Sequence, residues 1–178
     1  MRSLLPLHIP CNSPWLSLRL SSLLILGGIL VAPSIVHAQE SAQRGMEIYA
    51  NKAGCAFCHG WAADGHGDEH SDGAAANLRE TILDKAQILE VIKCGRPGTA
   101  MPHFDKFAYT DKRCYGATVD EIGNDKPPVP NSPLQIFEVE AVAEYIATMV
   151  KDKGPPTKDM CQTYFKGSAA ICEKYPAK

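Results

Sequence analysis

Apolar residues in this chain recur at helical spacing in three stretches, and nowhere do they alternate as a half-buried strand requires. In residues 41–52 the larger apolar side chains are Met46, Ile48 and Tyr49, and the spacing predicts a first helix. Gly45 within it would let another element approach closely. A second helix is predicted over 85–93, where Ile88, Leu89, Val91 and Ile92 supply apolar surface. Asp84 is a suitable N-cap, and Gln87 stands three residues on, where a capping box needs it. Gly95 and Pro97 end that helix. The third pattern spans 134–151, with Ile136, Val139, Val142, Ala143, Ile146 and Met149 at the spacing of one buried face, and Pro155-Pro156 stops it. The stretches between read as loop. Residues 61–77 are rich in Gly, Ala, Asp and His, and 110–133 read as an insertion with little regular structure, holding four prolines between Pro127 and Pro133. The expected fold class is all-α.

The first 38 residues do not fit that pattern. Arg2 and Arg19 precede an apolar run over 20–32, broken by Ser21, Ser22, Gly27 and Gly28, and Val36-His37-Ala38 follows. This reads as a signal peptide, 1–38, cut after Ala38 so that Gln39 is first. The run is short of the ~20 residues of a membrane span, so no anchor is expected after cleavage and the expected compartment is the periplasm. The rest divides into a domain over 39–156 and a C-terminal extension over 157–178. Of the 18 lysines and arginines two precede the cut, which leaves 16 against 20 acidic residues and a mature net charge of −4. That balance gives nucleic-acid binding no support and favours partners with a basic docking patch.

Cysteine usage narrows the chemistry. Cys11 leaves with the signal, and six of the 7 cysteines remain. Two of these stand in Cys55-Ala56-Phe57-Cys58-His59. The C-x-x-C-H spacing is the attachment signature of c-type haem: each thiol adds across one vinyl group, and the next residue offers an imidazole to the iron. A thioredoxin-like pair would need a strand before it and a βαβ surround, and here a helix precedes it. A zinc site would need further ligands, which only Cys94 or the loop histidines could supply. Cys94, Cys114, Cys161 and Cys172 are left, an even number in a disulfide-permissive compartment. Three pairings are possible, and spacing favours Cys94 with Cys114 and Cys161 with Cys172.

A sixth iron ligand should be a thioether or a second imidazole. Met101 is the best candidate, on a loop between Gly98 and Pro102 where ordinary core packing explains it poorly. The rivals are Met46, Met149, Met160, His66, His70 and His103. Trp61, Phe104, Phe107 and Tyr109 are candidates for the haem wall, and Arg96 for a propionate. The segment 64–72 is dense in oxygen and imidazole donors but lacks the fixed calcium-loop pattern, and it reads as a solvated loop. Nothing positions a reacting acid–base pair, so no enzyme activity is expected.

Gly45 and Tyr49, the C-A-F-C-H motif at 55–59, G-T-A-M-P at 98–102 and A-V-A-E-Y-I at 141–146 resemble the class I cytochromes c over about 41–151. The resemblance implies crossed N- and C-terminal helices with Gly45 and Tyr145 at the crossing. It implies thioethers at Cys55 and Cys58, and His59 and Met101 as axial ligands of one covalent haem c. The extra cysteines and the C-terminal extension are similar to the four-extra-cysteine c-type cytochromes associated with methanol metabolism and quinoprotein alcohol dehydrogenases. The implied role is a monomeric one-electron carrier, with a PQQ-dependent alcohol dehydrogenase as donor and another cytochrome c or a terminal oxidase as acceptor. A gas-binding or catalytic haem protein with a labile or absent Met ligand is the alternative, and a haem subunit fixed to a larger dehydrogenase is a third reading. The sequence departs from the family in its insertion at 110–133. It also lacks a proline between Gly60 and Leu78, where many members use one to orient the proximal histidine.

Overall fold

The computed structural model describes residues 33–71, 75–167 and 170–177. The apolar run over 20–32 and Cys11 therefore lie outside the described residues. Within them the regular structure is helical, with α1 at Pro33–Glu47, α2 at Cys55–His59, α3 at Lys85–Cys94, α4 at Val119–Ile122, α5 at Ile136–Tyr145 and α6 at Lys158–Tyr164. Short 3-10 turns at Leu78–Glu80, Gly123–Asp125 and Ala170–Lys174 complete it. No strand forms among the described residues, and no helix is long and apolar enough to cross a membrane.

The first helix is longer than its apolar spacing predicts, being helical from Pro33 rather than residue 41. It runs on into a π-helical turn, Ile48–Lys52, and α5 likewise runs on into Ile146–Val150. The expected capping box of α3 is present: the Asp84 carboxylate accepts from the Gln87 amide while the Gln87 side chain accepts from the Asp84 amide. A second box, Gln135 with Glu138, opens α5.

The most extensive helix contact is between α1 and α5. Gly45 makes it possible. A Cβ there would lie 1.9 Å from the Ala141 carbonyl oxygen and 2.8 Å from the Tyr145 Cβ, so only a residue without a side chain allows the two backbones to meet. Beside the crossing, Tyr49, Val142 and Ala143 are fully buried, and the Tyr49 and Tyr145 rings pack tilted with centroids 5.5 Å apart. Ile88 and Ile92 carry α3 onto the same core, each burial contributing on the order of 1.5–3 kcal/mol. Lys52 donates to both oxygens of the buried Glu138 carboxylate at 2.6 and 2.7 Å, tying the end of α1's turn to the start of α5.

Both disulfides that spacing favours are present, Cys94–Cys114 and Cys161–Cys172. The first fastens the insertion, which contains α4 and the turn at Gly123–Asp125, to the last residue of α3. The second staples the extension. That extension packs on Trp61, whose ring meets Tyr164, Phe165 and Tyr175 and whose indole N–H donates to the Tyr175 hydroxyl at 2.9 Å. Arg79 is buried beside it with carbonyl acceptors in place of a carboxylate. Its guanidinium donates to the carbonyls of Ala62, Lys153 and Gly154 and touches the Met160 sulfur at 3.6 Å, which joins the loop after α2 to the start of the extension.

Candidate functional site

Cys55, Cys58 and His59 stand together on α2, a helix of five residues entered through Gly54 in the left-handed region, φ 65°. So short a helix leaves its carbonyls without partners of its own. The glycine-rich loop behind it supplies them. The Gly60 amide donates to Ala56 O, the Asp68 amide to Phe57 O and the Gly65 amide to His59 O. A Cβ at Gly67 would lie 2.4 Å from Phe57 O and 2.5 Å from Cys58 O, so the loop lies directly on the helix backbone. From the core side, the buried Tyr49 hydroxyl donates to Gly60 O at 2.7 Å. The glycine richness that reads as mere loop in the sequence is what lets this segment wrap the motif.

His59 Nδ1 lies 2.9 Å from the carbonyl oxygen of Ala76. A carbonyl only accepts, so Nδ1 carries the proton and Nε2 keeps its lone pair. Burial, together with the nearby Arg96 charge, holds the imidazole below its ordinary range, against the hydrogen bond to Ala76. The ring is thus neutral near pH 7, with one nitrogen oriented and the other free to ligate. The 60–78 loop, which has no proline, thus orients the ring through the Ala76 carbonyl. Sequence reasoning missed Ala76 because a backbone acceptor leaves no residue signature.

Among the described residues Cys55 and Cys58 are the two free cysteines, and the other four are disulfide-bonded. Burial pushes the Cys55 thiol up to about 12. A disulfide-exchange nucleophile attacks as a thiolate, so buried Cys55 is unsuited to that role. No group of three or more His, Cys, Asp and Glu side chains able to hold a metal ion occurs among the described residues. In the 64–72 loop the histidines serve as local partners, His70 Nδ1 lying 2.8 Å from Asp68 and His66 Nδ1 3.4 Å from Asp64.

Met101 is half-buried and packs against the main core, which Cys55 and Ala56 also border. The loop that carries it flanks an open cleft of about 430 Å³ beside α3, lined by Leu83, Gln87, Val91, Arg96 and Thr99 among others. Arg96 therefore stands at the rim of this cleft and within electrostatic reach of His59. His103 is buried with Nδ1 against the Asp105 carbonyl at 3.0 Å and its ring edge on Tyr109. Of the four aromatic candidates for a haem wall, Phe104 lies in the main core. Trp61 is taken up by the extension, and Tyr109 belongs to a separate cluster around Cys94 and Cys114. Phe107 is half exposed beneath the Lys106 and Arg113 cations.

Fold and motif together define an all-helical, cytochrome-c-like protein with a C-x-x-C-H segment and two further disulfides. Residues 40–119, from α1 through the Met101 loop to the start of α4, match the family model described as cytochrome c oxidase, cbb3-type, subunit III. Searches of curated proteins and of solved structures gave no match.

Proposed function

We propose that the chain is a periplasmic one-electron carrier with a single covalent c-type haem. The observation that carries this reading is the state of α2. Four of the six described cysteines are paired in disulfides, two remain free at C-x-x-C spacing, and the next residue is a histidine whose Nδ1 is fixed and whose Nε2 is free. These donors fit the group. Cys55 and Cys58 would tether it, each S–H adding across one vinyl C=C. His59 Nε2 and the Met101 thioether would hold its iron. Bound there, the haem supplies an Fe(III)/Fe(II) couple. The protein's part is to hold the imidazole neutral and oriented through Ala76, to brace α2 through Tyr49 and Gly60, and to keep water from the buried side of the site.

In this reading residues 1–38 are removed on export, 39–156 carry the haem and 157–178 cap the loop after the motif. The donor is a quinoprotein alcohol dehydrogenase such as a PQQ-dependent methanol oxidiser, and the acceptor is another cytochrome c or a terminal oxidase. The mature charge of −4 suits encounters with basic patches, which are weak and transient in electron transfer. The match to an oxidase subunit model favours one second reading, in which the chain is a haem subunit held permanently in a larger complex.

The test is spectroscopic. The mature protein is produced in a host that matures c-type haem, and oxidised and reduced spectra are recorded with and without carbon monoxide. A thioether-to-iron charge-transfer band at the red edge of the oxidised spectrum, with no response to carbon monoxide, is the expected result. Ready carbon monoxide binding by the wild-type protein would replace the carrier with a gas-binding or catalytic haem protein. Co-purification with a large partner would favour the fixed subunit.

A further inference from the structure

The Met101 loop is held both by its own turn and from outside. Within it, the Thr99 hydroxyl donates to Arg96 O at 2.8 Å and accepts from the Met101 amide at 3.2 Å, and the Arg96 amide reaches Met101 O at 3.3 Å. Met101 packs on the main core, and two further attachments come from the insertion. The Gly98 amide donates to Asp125 O at 2.8 Å and the His103 amide to Pro128 O at 3.1 Å, so Met101 is bracketed on both sides by insertion carbonyls. Gly95, at φ 67°, is enclosed by Met101 O, Pro127 Cβ and the His103 amide, all within 2.9 Å of where a Cβ would be.

The insertion and Tyr109, the residue before it, are in turn fixed to the end of α3 at three points, two of them from the insertion itself. Cys114 is bonded to Cys94, the Tyr109 hydroxyl donates to Cys94 O at 2.7 Å, and the Tyr115 hydroxyl donates to Gly95 O at 2.8 Å. Cys94, Tyr109 and Cys114 form a buried cluster separate from the main core, so the support is local to this end of the molecule. The Cys161–Cys172 bond, by contrast, closes the extension around Trp61 and does not touch the loop.

We propose that the insertion, closed by Cys94–Cys114 and by Tyr115, is the clamp that keeps Met101 on the iron, and that opening it frees the sixth position for an external ligand. Cys94, Cys114 and Tyr115 are thus positioning residues for the axial thioether. The inference rests on the His/Met reading above. It ties ligand access at the iron to a disulfide that is not itself part of the haem motif.

Three holoproteins test it, each compared with wild type: Cys94→Ala with Cys114→Ala, Cys161→Ala with Cys172→Ala, and Tyr115→Phe. The readouts are the thioether charge-transfer band, carbon monoxide binding to the reduced form, and hydrogen exchange at the Gly98 and His103 amides. Opening the first disulfide is expected to remove the band, admit carbon monoxide and speed exchange at both amides by at least tenfold. Tyr115→Phe, which deletes one hydrogen bond, should give the same changes in smaller measure. The extension pair should keep the band and exclude carbon monoxide. An intact band in the Cys94/Cys114 variant overturns the clamp, and so does equal loss in both disulfide variants, since that marks general destabilisation. A wild-type protein without the band overturns the His/Met reading itself, and the two failures are thereby told apart.

Discussion

Replacing Gly45 by alanine puts the α1–α5 crossing to a quantitative test. Helix propensity alone predicts a gain of about 1 kcal/mol, since glycine is a poor helix former. The geometry predicts the opposite sign. The new Cβ would lie 1.9 Å from the Ala141 carbonyl oxygen, 2.5 Å from its carbon and 2.8 Å from the Tyr145 Cβ. These are backbone and Cβ atoms, so no rotamer change relieves the contact. The helices must part by roughly 1 Å, and a gap of that size forfeits a quarter to a half of the dispersion energy at each separated contact. Overpacking against a yielding side chain costs about 1–3 kcal/mol, and a rigid backbone belongs at or above the top of that range. After the propensity gain, a net loss of about 2–3 kcal/mol remains, or a fall in Tm of roughly 5–10 °C for a domain of this size. Thermal unfolding of the haem-loaded protein followed by far-UV circular dichroism measures it. A variant with unchanged or higher Tm would show that the helices do not cross at Gly45.

Three further outcomes follow from the same structure. Tyr49→Phe removes the 2.7 Å donor to Gly60 O, which keeps its bond from the Ala63 amide, and should cost about 0.5–1.5 kcal/mol in denaturant unfolding, with α2 loosened. The Glu138 carboxylate is held below the usual range chiefly by the Lys52 hydrogen bond. Its stabilisation is therefore full above the unfolded-state value and lost as pH falls through the lower folded value. Wild type should lose stability below about pH 4, and Glu138→Gln should be weaker at pH 7 but show a shallower acid decline. Opening Cys161–Cys172 by double alanine substitution should cost about 3 kcal/mol on a chain-entropy basis for a separation of 11 residues, and should redden Trp61 fluorescence as the aromatic cover loosens.

What the sequence made legible are features with local, residue-specific signatures. The Asp84–Gln87 box and the close approach at Gly45 depend on side-chain type at fixed offsets, and both are present. Of the face predicted for the last helix, Val139, Val142, Ala143 and Ile146 are buried, while Ile136 and Met149, at its two ends, are exposed. The disulfides were legible because short spans and an even count left few pairings. The site was half legible. The motif at 55–59 announces itself, while Ala76, which orients His59, contributes only a carbonyl that any residue could provide. Trp61 is packed on Tyr164, Phe165 and Tyr175, more than a hundred residues on, a long-range contact that nothing local in the sequence shows. Thr118 with Glu121 carried a readable capping-box signal for α4, yet the surrounding glycines and prolines hid it inside an apparent coil.

The central claim is covalent attachment of one haem at α2. Intact mass of the protein matured in a haem-ligating host, taken after denaturation and acid–organic extraction of loose haem, tests it most directly. The account predicts the mass of the polypeptide plus one haem, reduced to the polypeptide alone when Cys55 and Cys58 are both replaced by alanine. A denatured wild-type protein at the bare polypeptide mass, with both thiols open to alkylation, would contradict it.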